Sequence, residues 1–458
     1  MIQITTSQMA SAVNGVLYGS GDVTVSSVST DSRSIEAGQW FIPIAGDRFD
    51  GHDYLEKALD AGAAGCFCAR LPEHIREDKV YILVEDTKKA LGDLAGWYRG
   101  LFDLPMIQIT GSVGKTTTKE VIAGALSQHY RTHKTQGNLN SGVGVPLTIL
   151  GLDKSHEAAV IETGMDDFGQ IRRHGETVRP SIAVIANIGD AHVEFLGSRE
   201  GILKAKCEIF ENLQPGGLAV LNGDDPLLNT LELPFETVRC GRGENCDVRV
   251  TDVEDLGVSG VKCVVHCEGE AYPMEIPAPG VHMIYTVAFS VVIGRRLGLT
   301  SEEIRRGIAQ YVPAGERMRV EHLKGGRILL NDSYNANPQS MEAALRVLKN
   351  TDCTRRISML GDMKELGSAT EEGHSSIGRL VGELGMDMLI AVGPSCREYM
   401  VPAAKAAGCP DVRWYEKKED AYEELVAAYC EGAALLLKAS HFSGRFDLVA
   451  DYLREYEF

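Results

Sequence analysis

Residues 106–126 constrain the fold more than any other stretch of the chain. Positions 106–109 form an apolar run of strand length. They are followed by the glycine loop Thr110-Gly111-Ser112-Val113-Gly114-Lys115-Thr116-Thr117-Thr118, and 119–126 reads as a helix. A strand that enters a helix through glycines aims backbone N–H groups and the positive end of the helix dipole at one point. That arrangement suits a phosphate, with the lysine reaching the terminal phosphates and a hydroxyl meeting Mg²⁺. The general pattern G-x-x-x-x-G-K-[ST] wants glycine where Ile109 stands, so only the G-x-x-G-K-T core is present. The expected ligand is an ATP-type triphosphate held by Gly111, Ser112, Val113, Gly114, Lys115, Thr116 and Thr117.

The same strand, turn and helix alternation recurs downstream. Apolar runs at 158–161, 181–186 and 218–221 suit a parallel sheet covered on both faces. A β-rich insertion is expected over 247–276, where Val261, Cys263, Val265 and Cys267 alternate, and a helix resumes at Met283. A third unit starts near Pro313, with strands at 328–330, 357–360, 388–392 and 434–437. Residues 1 to about 100 read as a small α/β module, with β-branched runs at 23–28 and 40–44 and helices near 54–61 and 87–98. At about 150 residues per domain, a chain of 458 fits three. The expected fold is α/β throughout: a small N-terminal α/β domain (1–102), a central doubly wound P-loop domain (103–312) and a C-terminal Rossmann-like α/β domain (313–458).

Charge and cysteine content exclude several classes. With 64 acidic and 46 basic side chains the formal charge is −18, which repels a nucleic-acid backbone, so any phosphate must meet a local, organised site. Eleven cysteines, an odd count in a chain too large to need disulfide staples, point to reduced thiols in the cytoplasm. No basic residue precedes an apolar run in 1–13, and the apolar stretch 283–293 is shorter than the roughly 18 residues a span needs. Neither a signal peptide nor a membrane span is expected.

Further residues carry chemistry with two readings each. Glu162 ends the run 158–161, where a carboxylate either binds a metal near the phosphates or faces water. His192 follows the run 181–186 and either caps a turn or binds metal. Segment 198–213 reads as a helix with the stripe Ile202, Ala205, Ile209, Phe210 and Leu213. Lys206 falls inside that stripe: it either snorkels to water or is a buried amine able to react with CO₂. Asn331-Asp332-Ser333-Tyr334-Asn335-Ala336-Asn337-Pro338 places a polar cluster at the end of a buried strand, a ligand site in open α/β sheets or simply a turn. Loops 29–33 and 46–53 crowd hydroxyl, guanidinium and glycine groups that suit either a second anion or a surface. In Cys263-Val264-Val265-His266-Cys267 the cysteines share one strand face and the histidine takes the other, which argues for buried thiols over a metal site.

Several motifs occur together: T-G-S-x-G-K-T-T-T-K-E at 110–120, G-N-x-N-x-x-x-G-x-P at 137–146, N-I-G-x-x-H-x-E at 187–194, A-K-x-E-I at 205–209 and N-D-S-Y-N-A-N-P at 331–338. In this order and over essentially the whole chain, the sequence resembles the Mur ligases of bacterial cell-wall synthesis. D-S-Y-N-A-N-P, the G-D-R-F-D-G-H-D loop at 46–53 and L-G-D-M-K-E-L-G at 360–367 resemble the members that join D-Ala-D-Ala to UDP-N-acetylmuramoyl-tripeptide.

The resemblance implies an ADP-forming ligase that uses ATP and Mg²⁺ and passes through an acyl phosphate. It places Lys115 and the loop amides on the β and γ phosphates and Thr116 with Glu162 on one Mg²⁺. His192 would join a second Mg²⁺, with Lys206 as a carbamate. Asn138 and Asn140 would face phosphates and substrate. Arg317 and Asp332 would bind ATP from the third domain, and Tyr334 and Asn335 would help close the site. Ser32, Arg33, Arg48, Asp50 and His52 would carry the UDP end. The implied protein is a cytoplasmic monomer with no nucleic-acid partner.

The chain departs from the family's G-R-H-N-x-x-N, where it has Gly280-Val281-His282-Met283-Ile284-Tyr285-Thr286, so both asparagines that would contact adenine are missing. K-G-S-R appears as Lys438-Ala439-Ser440-His441, and the third domain's opening G-R as Gly315-Glu316-Arg317. Two rival readings stand beside the ligase: a related amide ligase using another amine, and an ATP-binding regulator without catalysis.

Overall fold

A computed structural model describes residues 1–19, 21–46, 49–440, 444–456 and 458. Three large sheets follow one another along the chain. The first has five strands in the order Val16–Gly19, Val80–Leu83, Gly65–Cys68, Trp40–Phe41, Val28–Ser29, parallel except for the first pair. Its strands are shorter than the runs at 23–28 and 40–44 suggest. The first run splits into Thr24–Val25, which pairs with Ile4–Thr5, and Val28–Ser29. Helix Thr87–Arg99 covers this sheet, its N-terminus capped by Asp86, which accepts from the N–H groups of Lys88 and Lys89.

The central sheet has nine strands. From the edge Thr132–Lys134 it runs through Ala158–Glu162, Met106–Thr110, Ile182–Ile185, Leu218–Asn222 and Glu236–Gly241 to Val248–Asp255, all parallel. Strand order reverses around Met106–Thr110, so the glycine loop emerges at the switch point, where open α/β sheets leave a crevice for ligands. The region expected as a β-rich insertion is part of this sheet. Strands Val261–Cys267 and Glu270–Ile276 add an antiparallel hairpin beyond Val248–Asp255. The reason is its alternation: Val261, Cys263, Val265 and Cys267 face inward and join one core with helix Met283–Arg296. Cys263 and Cys267 are buried and His266 is exposed, as strand geometry requires.

The third sheet has the order Arg319–Leu323, Arg327–Asn331, Ala434–Lys438, Arg356–Gly361, Met388–Val392, Val412–Tyr415, antiparallel only in its first pair. The last strand in sequence lies between the second and third, which brings Lys438 beside Asn331-Asp332. Segment 198–213 is helical, but after Arg199–Cys207 it tightens to a 3₁₀ turn at Glu208–Asn212. Among the described residues no helix is long and apolar enough to cross a membrane.

Candidate active site

The glycine loop is built by its backbone. Gly114 has φ 78°, a left-handed conformation that costs other residues about 1–2 kcal/mol. A Cβ placed on Gly114 would meet nothing within 4 Å, so that side of the loop is open. Gly111 packs closely: a Cβ there would lie 3.0 Å from that of Ala186. Helix Lys115–Leu126 has no side-chain cap, so its first N–H groups and dipole remain available to an anion.

Not every loop amide expected on phosphate is available. The N–H groups of Ser112 and Val113 donate to Asn187 Oδ1 at 3.1 and 2.9 Å, Asn187 Nδ2 donates to the Val113 carbonyl, and Gly189 N–H donates to Ser112 Oγ at 2.8 Å. Asn187 opens the motif at 187–194, yet sequence reasoning gave it no role. Its sequence separation of 75 residues from Ser112 hides the pairing.

Beside the loop sits a buried polar knot. Thr116 Oγ1 donates to Glu162 Oε2 at 2.9 Å and Asn140 Nδ2 donates to Oε1 at 2.7 Å. Glu162 is 1 % exposed, and the fully buried Lys119 lies 3.8 Å from Oε2 while donating to the Thr135 carbonyl. Lys119 is a second residue the sequence reading passed over, because a lysine in a helix is ordinarily solvated. Asn140 reaches Glu162, whereas Asn138 is exposed. Thr117 lies against the Tyr311 hydroxyl.

Lys115 Nζ donates to the Gly111 carbonyl at 2.8 Å, and burial pushes its amine below the usual lysine range. The Glu162 carboxylate opposes this shift and the Arg317 guanidinium adds to it, which places Arg317 within reach of the phosphate loop. Lys206 is 2 % exposed, and its side chain makes no hydrogen bond or ion pair among the described residues. Burial first and the positive charge of Lys115 second hold its amine well below the ordinary value. The stripe position therefore resolves in favour of burial. Glu208, two residues on, caps another helix by accepting from the N–H groups of Gly169 and Arg172.

His192 stands apart from this knot. Its Nδ1 lies 2.7 Å from Glu365 Oε2 of the third sheet's loops, at angles that fall short of a hydrogen bond. Also from that side, Asp332 accepts from Met318 N–H and from Lys438 Nζ, which donates to the Asn335 carbonyl as well. Lys438 is 2 % exposed, so this pair is an internal brace of the 331–338 loop. Asn335 turns its side chain onto the Ala336 N–H. The Arg317 guanidinium stacks on the Tyr334 ring at 3.9 Å. Where the family's asparagines would stand, Met283 is buried and Thr286 Oγ1 meets Thr118 Oγ1 at 3.2 Å, tying two helices together.

The N-terminal candidates form a separate group. Arg33 pairs with Asp31 at 2.7 Å, and that guanidinium holds the Asp31 carboxyl down at about 2. Asp50 accepts from the His52 N–H and lies 2.6 Å from His52 Nδ1, while His52 Nε2 accepts from Ala69 N–H. Both ring nitrogens of His52 are thus engaged, Nδ1 within its own loop and Nε2 at the end of strand Gly65–Cys68, so the side chain ties the loop to the sheet. Ser32 is half-buried in the turn between Asp31 and Arg33, and Arg48 falls outside the described residues. A cavity of about 280 Å³ opens beside Asp31, between segment 27–31 and helix Gly144–Leu150.

Asp362, His374 and Cys396 are close enough to share a cation, but their atoms are engaged. His374 Nε2 accepts from Met363 N–H, Nδ1 faces the Thr370 carbonyl, and Asp362 accepts from Cys396 N–H.

Comparison with known proteins places these groups in a family context. Residues 24–99 match the Mur ligase family catalytic domain, 109–294 the Mur ligase middle domain and 316–441 the Mur ligase glutamate ligase domain. The sequence is 33% identical to the UDP-N-acetylmuramoyl-tripeptide–D-alanyl-D-alanine ligase of Bacillus subtilis (strain 168), over 99% of both chains. Among solved structures, MurF from Acinetobacter baumannii superimposes with a TM-score of 0.89 at 29% identity, covering 99% of this chain and 100% of that one. MurF ligase from Thermotoga maritima in complex with ADP superimposes with a TM-score of 0.82 at 27% identity, covering 93% and 97%.

Proposed function

The chain belongs to the Mur ligase family, and we propose that it joins D-alanyl-D-alanine to UDP-N-acetylmuramoyl-tripeptide, converting ATP to ADP and phosphate. The observation that carries this reading is the convergence on one loop of an uncapped helix N-terminus, the Thr116–Glu162 pair and a buried, uncompensated Lys206. The product is the pentapeptide precursor of peptidoglycan, so the activity serves wall growth, cell shape and division.

The terminal carboxylate of the tripeptide attacks the γ-phosphorus, the bond to ADP breaks, and an acyl phosphate forms. The neutral amine of D-Ala-D-Ala then attacks the acyl carbon. A C–N bond forms, phosphate leaves with the electron pair of the C–O bond, and the amine's proton passes to water. Lys115 and the helix N-terminus bind the phosphates and balance the charge that builds there.

The residues present fit a hard cation: an oxygen-rich pair at Thr116 and Glu162, and His192, whose Nδ1 faces Glu365 and whose Nε2 has no bonding partner among the described residues. Thr116 and Glu162 would hold one Mg²⁺, and His192 with a carbamylated Lys206 the other. Bound there, Mg²⁺ supplies the positive charge that lets carboxylate and phosphate approach. Arg317, Asp332 and Asn335 serve the nucleotide from the third domain. Tyr334, Asn140 and the Ser32–His52 region serve the UDP-linked substrate, with Asp50 and His52 shaping their loop. Eleven free cysteines support a reducing, cytoplasmic setting.

The test is ADP release by the purified protein with tripeptide substrate, in the presence and absence of D-Ala-D-Ala. Sustained release is expected only with both, together with the pentapeptide mass. Turnover with a different amine and none with D-Ala-D-Ala would overturn the acceptor, and tight ATP binding without ADP would favour the regulator.

A further inference from the structure

Two residues with left-handed backbones face each other across the seam between the central and C-terminal sheets. His192 has φ 66° and Glu365 has φ 61°, a conformation that costs a non-glycine residue about 1–2 kcal/mol and persists only where the surroundings hold it. Their side chains meet at 2.7 Å, Nδ1 to Oε2. The seam is tight on both sides of this contact. A Cβ on Gly367 would lie 3.2 Å from the Cα of Glu194, and the Gln339 amide lies directly over Gly189. Arg199 Nη2 donates to the Ile188 carbonyl and steadies the His192 loop from its own domain. No protein group among the described residues bonds His192 Nε2, so the ring presents one nitrogen to a carboxylate and keeps the other for a ligand.

A carboxylate on the far nitrogen of a metal-binding histidine fixes the ring's orientation and raises its basicity. Here that carboxylate comes from the other domain. We propose that Glu365 is a positioning residue for His192, so that cation capture at His192 is coupled to closure of the C-terminal domain onto the central one. This rests on reading His192 as a metal ligand. It adds that the ligand is properly aimed only when the seam is shut.

Full-length wild type, Glu365→Ala and Glu365→Gln should be titrated with Mn²⁺ in the presence of a non-hydrolysable ATP analogue, with free Mn²⁺ read by electron paramagnetic resonance. Small-angle scattering on the same samples reads domain closure. The weaker Mn²⁺ site is expected to lose about 10–100-fold in affinity in Glu365→Ala, with a smaller loss in Glu365→Gln. The scattering profile should shift to a more extended particle, while metal-free nucleotide affinity stays unchanged. Glu365→Gln keeps the side chain's shape and serves if the alanine variant does not fold. Unchanged Mn²⁺ affinity in the variants, or weaker binding with unchanged scattering, would overturn the proposal. A wild type that binds only one Mn²⁺ would instead overturn His192 as a metal ligand.

Discussion

Lys115→Ala is expected to lower ADP release by about 10²–10³-fold or more, the typical result of removing one charged group aimed at a transition state. Among the described residues Lys115 Nζ donates only to the carbonyls of Gly111 and Ser112, both in its own loop. Those neutral acceptors are weaker partners than phosphate oxygens, so the amine is free to exchange them for substrate. The same local bonding predicts that the fold tolerates the change: thermal unfolding should match wild type while turnover collapses. Steady-state ADP release and calorimetry on the same preparation check both halves. Undiminished turnover would mean that the loop is not where ATP is broken.

Lys206 carries the second large effect. A buried ammonium with no counter-ion costs several kcal/mol, and Lys115 nearby raises that cost. Burial thus favours the neutral, nucleophilic form of the amine. It can add to CO₂, forming an N–C bond and releasing one proton, to give an anionic carbamate that attracts Lys115 where an ammonium repelled it. Lys206→Ala is expected to lose about 10²–10³-fold in turnover, with partial recovery on adding a small carboxylate such as acetate. Wild type should lose activity in CO₂-depleted buffer and regain it with bicarbonate. Full activity without CO₂, with an unmodified amine by native mass spectrometry, would contradict the modification.

What could be read from the sequence follows from how local each feature is. The phosphate loop was legible because strand, glycines and helix are contiguous, and the buried parallel strands because unbroken apolar runs have no other use. Lys206 was legible because it interrupts an otherwise apolar helical face. The hairpin at 261–276 read correctly as alternating strands, yet its membership of the central sheet depends on an edge left open at Val248–Asp255, which no local pattern reveals. Two-residue strands such as Trp40–Phe41 are too short to show a period.

Within the site, the contacts hidden from the sequence all join distant segments. Asn187 takes the Ser112 and Val113 amides, Lys438 braces Asp332 from 106 residues away, and Glu365 meets His192 across a domain seam. Each involves a residue whose type is ordinary for a loop or strand end. Only the way the sheets face one another gives it a task. The departures at Met283 and Thr286 acquire a physical account the same way: Thr286 holds the phosphate-loop helix through Thr118, and Met283 packs in the core.

The central claim is that the tripeptide's terminal carboxylate is phosphorylated before the amine attacks. Substrate labelled with ¹⁸O in that carboxylate, turned over with ATP and D-Ala-D-Ala, tests it directly by mass analysis of the released phosphate. Acyl phosphate chemistry predicts one labelled oxygen in each phosphate released. Phosphate carrying no label would show that the carboxylate never bonded to phosphorus, and the account would fail.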